Sequence, residues 1–156
     1  MMQTVGLILH FRSEALTLRC LQWMRDEGVA AAVLVDNSED SGRSIDRMHQ
    51  ALSDLRQGGL DIRIRTENRN LGFAAGVEFG LSYIRREFKA HVLLVNSDAV
   101  LAPGSLRAMQ DMLDSCKCVA PRISNRGSKP RSPFFFYDPV AALILEAPRA
   151  RTIRYA

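Results

Sequence analysis

Between residues 3 and 123, short runs of branched apolar residues alternate with longer stretches in which apolar residues recur every three or four positions. The first run, QTVGLILH at 3–10, suits a strand buried on both faces. Polar Arg12-Ser13-Glu14 then leads into Leu16, Cys20, Leu21 and Met24, whose spacing predicts a helix over 14–27 that Gly28 ends. AAAVLVDNS at 30–38 is a second buried strand running into a polar loop. Ile45, Met48, Leu52 and Leu55 share one face of a helix predicted over 43–57, with Gly58-Gly59 as its stop. DIRIRTE alternates as a short strand at 61–67, a turn spans Asn68 to Gly72, and a glycine-containing helix follows over 73–88. VLLVNSD at 92–98 is a fourth strand, apolar until it meets an Asn-Ser-Asp triplet. Pro103 and Gly104 introduce a helix over 104–115, and CVAPRI at 118–123 reads as a fifth strand. Strands alternating with helices in this order predict an α/β fold: a doubly wound, mostly parallel sheet with helices on both faces.

The pattern changes after residue 124. SNRGSKPRSP is polar and aperiodic, as a linker is, and FFFYDPVAALILEAP places two apolar clusters around Asp138-Pro139. This tail reads equally as an edge strand or as a helix laid on the sheet. A chain of 156 residues with 47% hydrophobic content is the size of one ordinary domain and too apolar to be disordered throughout. Its formal charge of +4 comes mainly from scattered arginines, without the basic stripe and interleaved aromatics that nucleic acid requires. Cys20, Cys116 and Cys118 make neither a disulfide framework nor a zinc-ligand pattern, which fits a reducing compartment. No leader pattern and no membrane-length apolar run is present, so the expected location is cytoplasmic, with action at the inner face of the membrane left open.

In open parallel sheets, ligands bind beyond the carboxyl ends of the strands. Asp36-Asn37-Ser38, the segment from Asn68 to Gly76, and Asn96-Ser97-Asp98 each follow a predicted strand. A carboxylate at Asp36 can accept hydrogen bonds from a base or from ribose hydroxyls. Asp98 offers a hard oxygen ligand for Mg²⁺ or Mn²⁺, and such an ion bridges a diphosphate well. If the strand persists through residue 98, Asn96 and Asp98 share a face. NLGFAAG at 70–76 has neither the spacing of a dinucleotide fingerprint nor the lysine of a phosphate loop, which argues against NAD and ATP. No serine–histidine or cysteine–histidine pair has a nucleophile context.

In combination, VGLILHFR, LTLRCL, VLVDNSEDSG, ENRNLGFAAGVEFGL, HVLLVNSDAVLAPGSL and VAPRI resemble the inverting family 2 glycosyltransferases of the GT-A fold, particularly their rhamnosyltransferase-like branch. The resemblance covers about residues 5–123. It implies a GT-A-type mostly parallel sheet flanked by helices that binds a nucleoside-diphosphate sugar and passes the hexose, rhamnose included, to a glycan or lipid-linked acceptor. By that likeness Asp36 and Asn37 contact the base, while Asn70, Leu71, Gly72 and Gly76 shape the nucleoside pocket. The NSD triplet stands in the place of the family's DxD motif: Asn96 approaches ribose and sugar, and Asp98 ligates the metal. Where the family usually has Tyr-Asn after the first strand, this chain has His10-Phe11, and His10 reads either as a base contact or as a satisfied strand-end histidine.

Members of the family usually continue for about a hundred residues or more, through the acceptor-binding region and the general base. The expectation is therefore a truncated single domain, with a nucleotide-sugar-binding part at 1–124 and a vestige of the acceptor region at 125–156. Asp138 and Glu146, the acids of that tail, have no feature of a general base, so the catalytic residue is unassigned. Two readings stand: a glycosyltransferase of minimal size, or a catalytically inactive homologue that binds nucleotide sugar or a protein partner. In either, the apolar tail is a candidate for peripheral membrane or homo-oligomer contact.

Overall fold

The computed structural model describes residues 2–99 and 101–121. The expectations for the fifth strand beyond residue 121, the linker and the tail lie outside these residues. The chain divides into two compact units, 1–103 and 104–156, each considered by itself.

The first unit carries β1 (Thr4–His10), α1 (Glu14–Asp26), β2 (Ala31–Asp36), α2 (Arg43–Gln57), β3 (Asp61–Thr66), α3 (Gly72–Glu87) and β4 (His91–Leu94). All strand pairs are parallel and the order is β3-β2-β1-β4. Each strand therefore ends at the same edge of the sheet, with His10 opposite Asp36 and Asp36 opposite Thr66. β1 and β2 are covered on both faces, which is why they are almost unbroken apolar runs.

Side-chain alternation sorts β1 and β2 between two layers. Val5, Leu7, Val33 and Val35 point to one face and form a cluster with Ile84 of α3, with Leu9, Val77 and Phe79 packed around it. Gly6 and His10 point to the other face, where they meet Met24 and Thr17 of α1. Helix α2 lies against α1 and β3 on that second face. Two successive crossovers thus share one face, and the third passes to the opposite face as the chain returns to the far side of β1. Right-handed crossovers demand that arrangement.

α3 comes close to the sheet through two glycines one turn apart. A β-carbon on Gly76 would stand 2.9 Å from Leu9 Cδ2, and one on Gly80 would overlap Leu7 Cδ1. The second unit contributes α4 (Ser105–Leu113) to the described residues, with Leu106 and Met109 buried.

Two expectations need correction. The fourth strand does not run to residue 98: it stops at Leu94, Val95 adds one further bond to Leu7 O (3.1 Å), and a turn closes with Ala99 N–H donating to Asn96 O at 3.0 Å. Apolar though it is, it is not buried: among the described residues β4 is an edge strand with Val92 39% and Leu94 44% exposed. An apolar composition recorded the residue types, and the edge position set their exposure. The fifth strand is also absent from residues 118–121, which have no regular structure.

Candidate functional site

The strand order reverses at β1: the chain steps outward to β2 and β3, then returns to place β4 on the other side. A reversal leaves a crevice beyond the carboxyl ends where flanking loops diverge, and ligands of open α/β sheets bind there. The loops after β1, β2, β3 and β4 carry, respectively, Phe11-Arg12, Asn37 to Ser41, Glu67 to Leu71 and Asn96 to Asp98.

Asp36 closes β2 and is 6% exposed. Its Oδ1 accepts the Ser38 N–H at 2.9 Å, turning the chain out of the strand. Asn37, also predicted to touch the base, is 5% exposed and turned inward. Its backbone N–H donates to His10 O at 2.8 Å. Its side-chain Nδ2 donates to Gly72 O at 3.1 Å, and Oδ1 accepts the Leu71 N–H at 3.4 Å. One buried amide thus ties the ends of β1 and β2 to the start of α3, so the structure places Asn37 beneath the loop rather than on its surface.

The segment leading into α3 is built the same way. Asn68 adopts a left-handed φ of 55° and its N–H donates to Thr66 Oγ1 at 3.0 Å. Asn70 Oδ1 accepts the Gly72 N–H at 2.8 Å, while the Asn70 N–H donates to Glu39 Oε1 at 2.9 Å. Gly72 has φ of 70°, a conformation costly for any residue with a β-carbon. Asn70 and Gly72 face solvent; Gly76 is buried between Leu9 and Asn37 and serves close helix–sheet packing. Glu39, with φ of 51°, had no sequence signal marking it, because its partner lies 31 residues away.

Asn96 and Asp98 sit on the turn after β4, both exposed. The Asn96 carbonyl accepts the Cys20 thiol at 3.8 Å, which seats the turn over α1. Burial, and to a lesser degree the Asp98 charge, push the Cys20 thiol up to about 12, so it stays protonated and is no thiolate ligand. No hydrogen bond among the described residues joins this turn to the Asn37 cluster; sheet topology alone brings both to one edge.

Among the described residues no group of three or more His, Cys, Asp or Glu is gathered as a metal cage. A lone exposed carboxylate nevertheless suits Mg²⁺ or Mn²⁺, ions that keep several waters and take further oxygens from a diphosphate. The donor set at Asp98 fits an ion that arrives with its substrate. His10 is fully enclosed, with Nδ1 2.8 Å from Thr17 Oγ1 and Nε2 unpartnered. Burial lowers its pKa despite the raising influence of Asp36, Glu14 and Asp40, so the ring is neutral near pH 7.

The geometry defines an open parallel α/β sheet with polar loops gathered at its topological switch point. The sequence profile of the family described as Glycosyl transferase family 2 matches residues 18–144, and the chain belongs to that family. No curated protein matches the chain. Among solved structures it is similar to the crystal structure of S. aureus TarS 1-349, with a TM-score of 0.56 and 18% identity over 72% of this chain and 32% of that one. At that identity the likeness speaks for the fold, a GT-A-type α/β sheet. The chain spans about a third of the TarS chain it matches.

Proposed function

We propose that this protein binds a nucleoside-diphosphate sugar at the carboxyl edge of its sheet and transfers the hexose to a glycan or lipid-linked acceptor, in the manner of the rhamnosyltransferase-like branch. The observation that supports this best is the convergence, within one compact unit, of the nearly buried Asp36, the clamped Asn70–Gly72 loop and the exposed Asp98. The Asp36 carboxylate is an acceptor for the base or ribose, and the open backbone around Gly72 admits a nucleoside. Asp98 would hold Mg²⁺ or Mn²⁺. The ion would neutralise charge on the diphosphate leaving group. All three cysteines are free, which supports a reducing, cytoplasmic setting, and no helix among the described residues is long and apolar enough to cross a membrane.

Calorimetric titration with several nucleoside-diphosphate sugars, with and without Mn²⁺, on the wild type and Asp98→Ala tests the reading. Manganese should strengthen donor binding, and D98A should abolish most of that gain while metal-free binding persists. Absence of donor binding in the wild type would remove the reading, and unchanged manganese dependence in D98A would place the ion elsewhere. Binding without turnover on an acceptor panel would instead favour a non-catalytic nucleotide-sugar-binding protein.

A further inference from the structure

Arg12 follows β1 at the switch point, and no role was assigned to it from sequence. It has φ of 51°, a left-handed conformation that side chains with a β-carbon adopt at a cost and that clusters at ligand sites. Two hydrogen bonds hold it there: its backbone N–H donates to Ser38 Oγ at 3.1 Å and its Nε donates to Ser38 O at 2.9 Å. The guanidinium carbon lies 5.2 Å from the centre of the Phe11 ring, itself 48% exposed. The backbone, Nε and one face of the guanidinium are therefore engaged.

The outer edge of the fork is not. Arg25, Arg47, Arg63, Arg85, Arg86 and Arg107 each lie against a carboxylate. Arg12, like Arg19, Arg43, Arg56, Arg65 and Arg69, has no carboxylate partner among the described residues, and it is set apart by being held through both its backbone and its Nε at the strand ends. The nearest acid in sequence, Glu14, is engaged by Arg47 Nε at 2.7 Å. An exposed arginine is ordinarily mobile, but this one is oriented in advance, with its terminal nitrogens unneutralised beside the crevice. Planar, bidentate donors of this kind suit phosphate oxygens.

We propose that Arg12 binds the diphosphate of the donor and shares its charge neutralisation with the ion at Asp98. This rests on the donor-binding reading above and extends it to a residue outside the Asn-Ser-Asp turn. With a single carboxylate to recruit a metal, the site needs a second source of positive charge, and Arg12 supplies one that does not depend on metal.

The test uses UDP, GDP and dTDP, the corresponding nucleosides, and inorganic pyrophosphate, titrated in EDTA and in Mn²⁺ against wild type, Arg12→Gln and Arg12→Gly. Glycine accepts the left-handed backbone, so R12G removes the side chain without straining the fold, and circular dichroism should show both variants folded. In EDTA both should bind the preferred nucleoside diphosphate and pyrophosphate about 10- to 100-fold more weakly, as loss of a charge-assisted contact implies. Nucleoside affinity should not move, and the defect should shrink in Mn²⁺. Equal losses for nucleoside and diphosphate, or none for the diphosphate, would overturn the role of Arg12 while leaving donor binding intact. Wild type that binds pyrophosphate through Arg12 but no nucleoside diphosphate would remove the donor reading instead, and binding of neither would remove both.

Discussion

Replacing Gly80 with alanine tests how α3 is seated on the sheet. In an isolated helix the change is favourable by about 1 kcal/mol, because alanine has the higher propensity. Here the added β-carbon would overlap Leu7 Cδ1 and stand 3.0 Å from Val35 Cγ2. Carbon atoms settle at about 3.5–4.0 Å, so both neighbours must move. They have little room, with Leu7 0% and Val35 1% exposed. Overpacking of this kind costs about 1–3 kcal/mol. With two fixed neighbours the upper part of that range applies, leaving a net loss of about 1–2 kcal/mol after the helix gain is subtracted. Urea denaturation followed by circular dichroism should show a lower midpoint with an unchanged slope. Leu7→Ala alone should cost about 2–5 kcal/mol by leaving a cavity. Together with G80A it should cost less than the sum, because the new methyl occupies part of that cavity. An unchanged or raised midpoint in G80A, or strict additivity in the double variant, would refute the close approach of α3.

Asn37→Ala removes the Nδ2 bond to Gly72 O and the Oδ1 acceptor for Leu71, so we expect a loss of about 1–3 kcal/mol by urea titration. Amide exchange should also quicken around residues 70–73, and unaltered exchange there would refute the clamp. His10 is protonated more readily in the unfolded chain, near its ordinary 6.5, than in the fold, where burial lowers its pKa. The folded state then binds fewer protons, and its stability falls as pH drops below about 6.5 towards the lowered value, at up to about 1.4 kcal/mol per pH unit from this group. His10→Asn should flatten that segment of the pH–stability curve, and an identical curve would contradict the assignment. Iodoacetamide at pH 8 should label exposed Cys118 readily and leave Cys20 unmodified in the native protein, since the Cys20 thiol is buried with its pKa near 12. Rapid native labelling of Cys20 would show that the Asn96 turn does not cover it.

Much of the fold was legible because burial leaves a periodic trace. Cys20, Leu21 and Met24 marked α1, although Leu16 of the same pattern is exposed, and the unbroken apolar runs marked β1 and β2, where both faces are covered. The same logic failed at β4, whose composition is that of a buried strand although Val92 and Leu94 face outward at the sheet's edge. Composition records what a segment can bury, and only its neighbours decide what it does bury.

The site divided along similar lines. Local chemistry marked Asp36, Asp98 and the segment from Asn68 to Gly76 as candidates, because polar residues after a strand, or glycines in a turn, are visible in the few residues around them. The roles of Asn70 and Gly72 came from the family likeness. Strand order and long-range bonds decided the rest. Asn37 bonds to Gly72 across 35 positions and Arg12 to Ser38 across 26, separations at which no periodic pattern survives. The sequence by itself determined the alternation of strands and helices and the polar residues that end the strands, since both follow from local burial and backbone geometry. The tertiary structure alone decided that β4 returns beside β1, that Asn37 faces inward, and that Arg12 is fixed and unpaired beside the crevice, because each depends on which distant segments became neighbours.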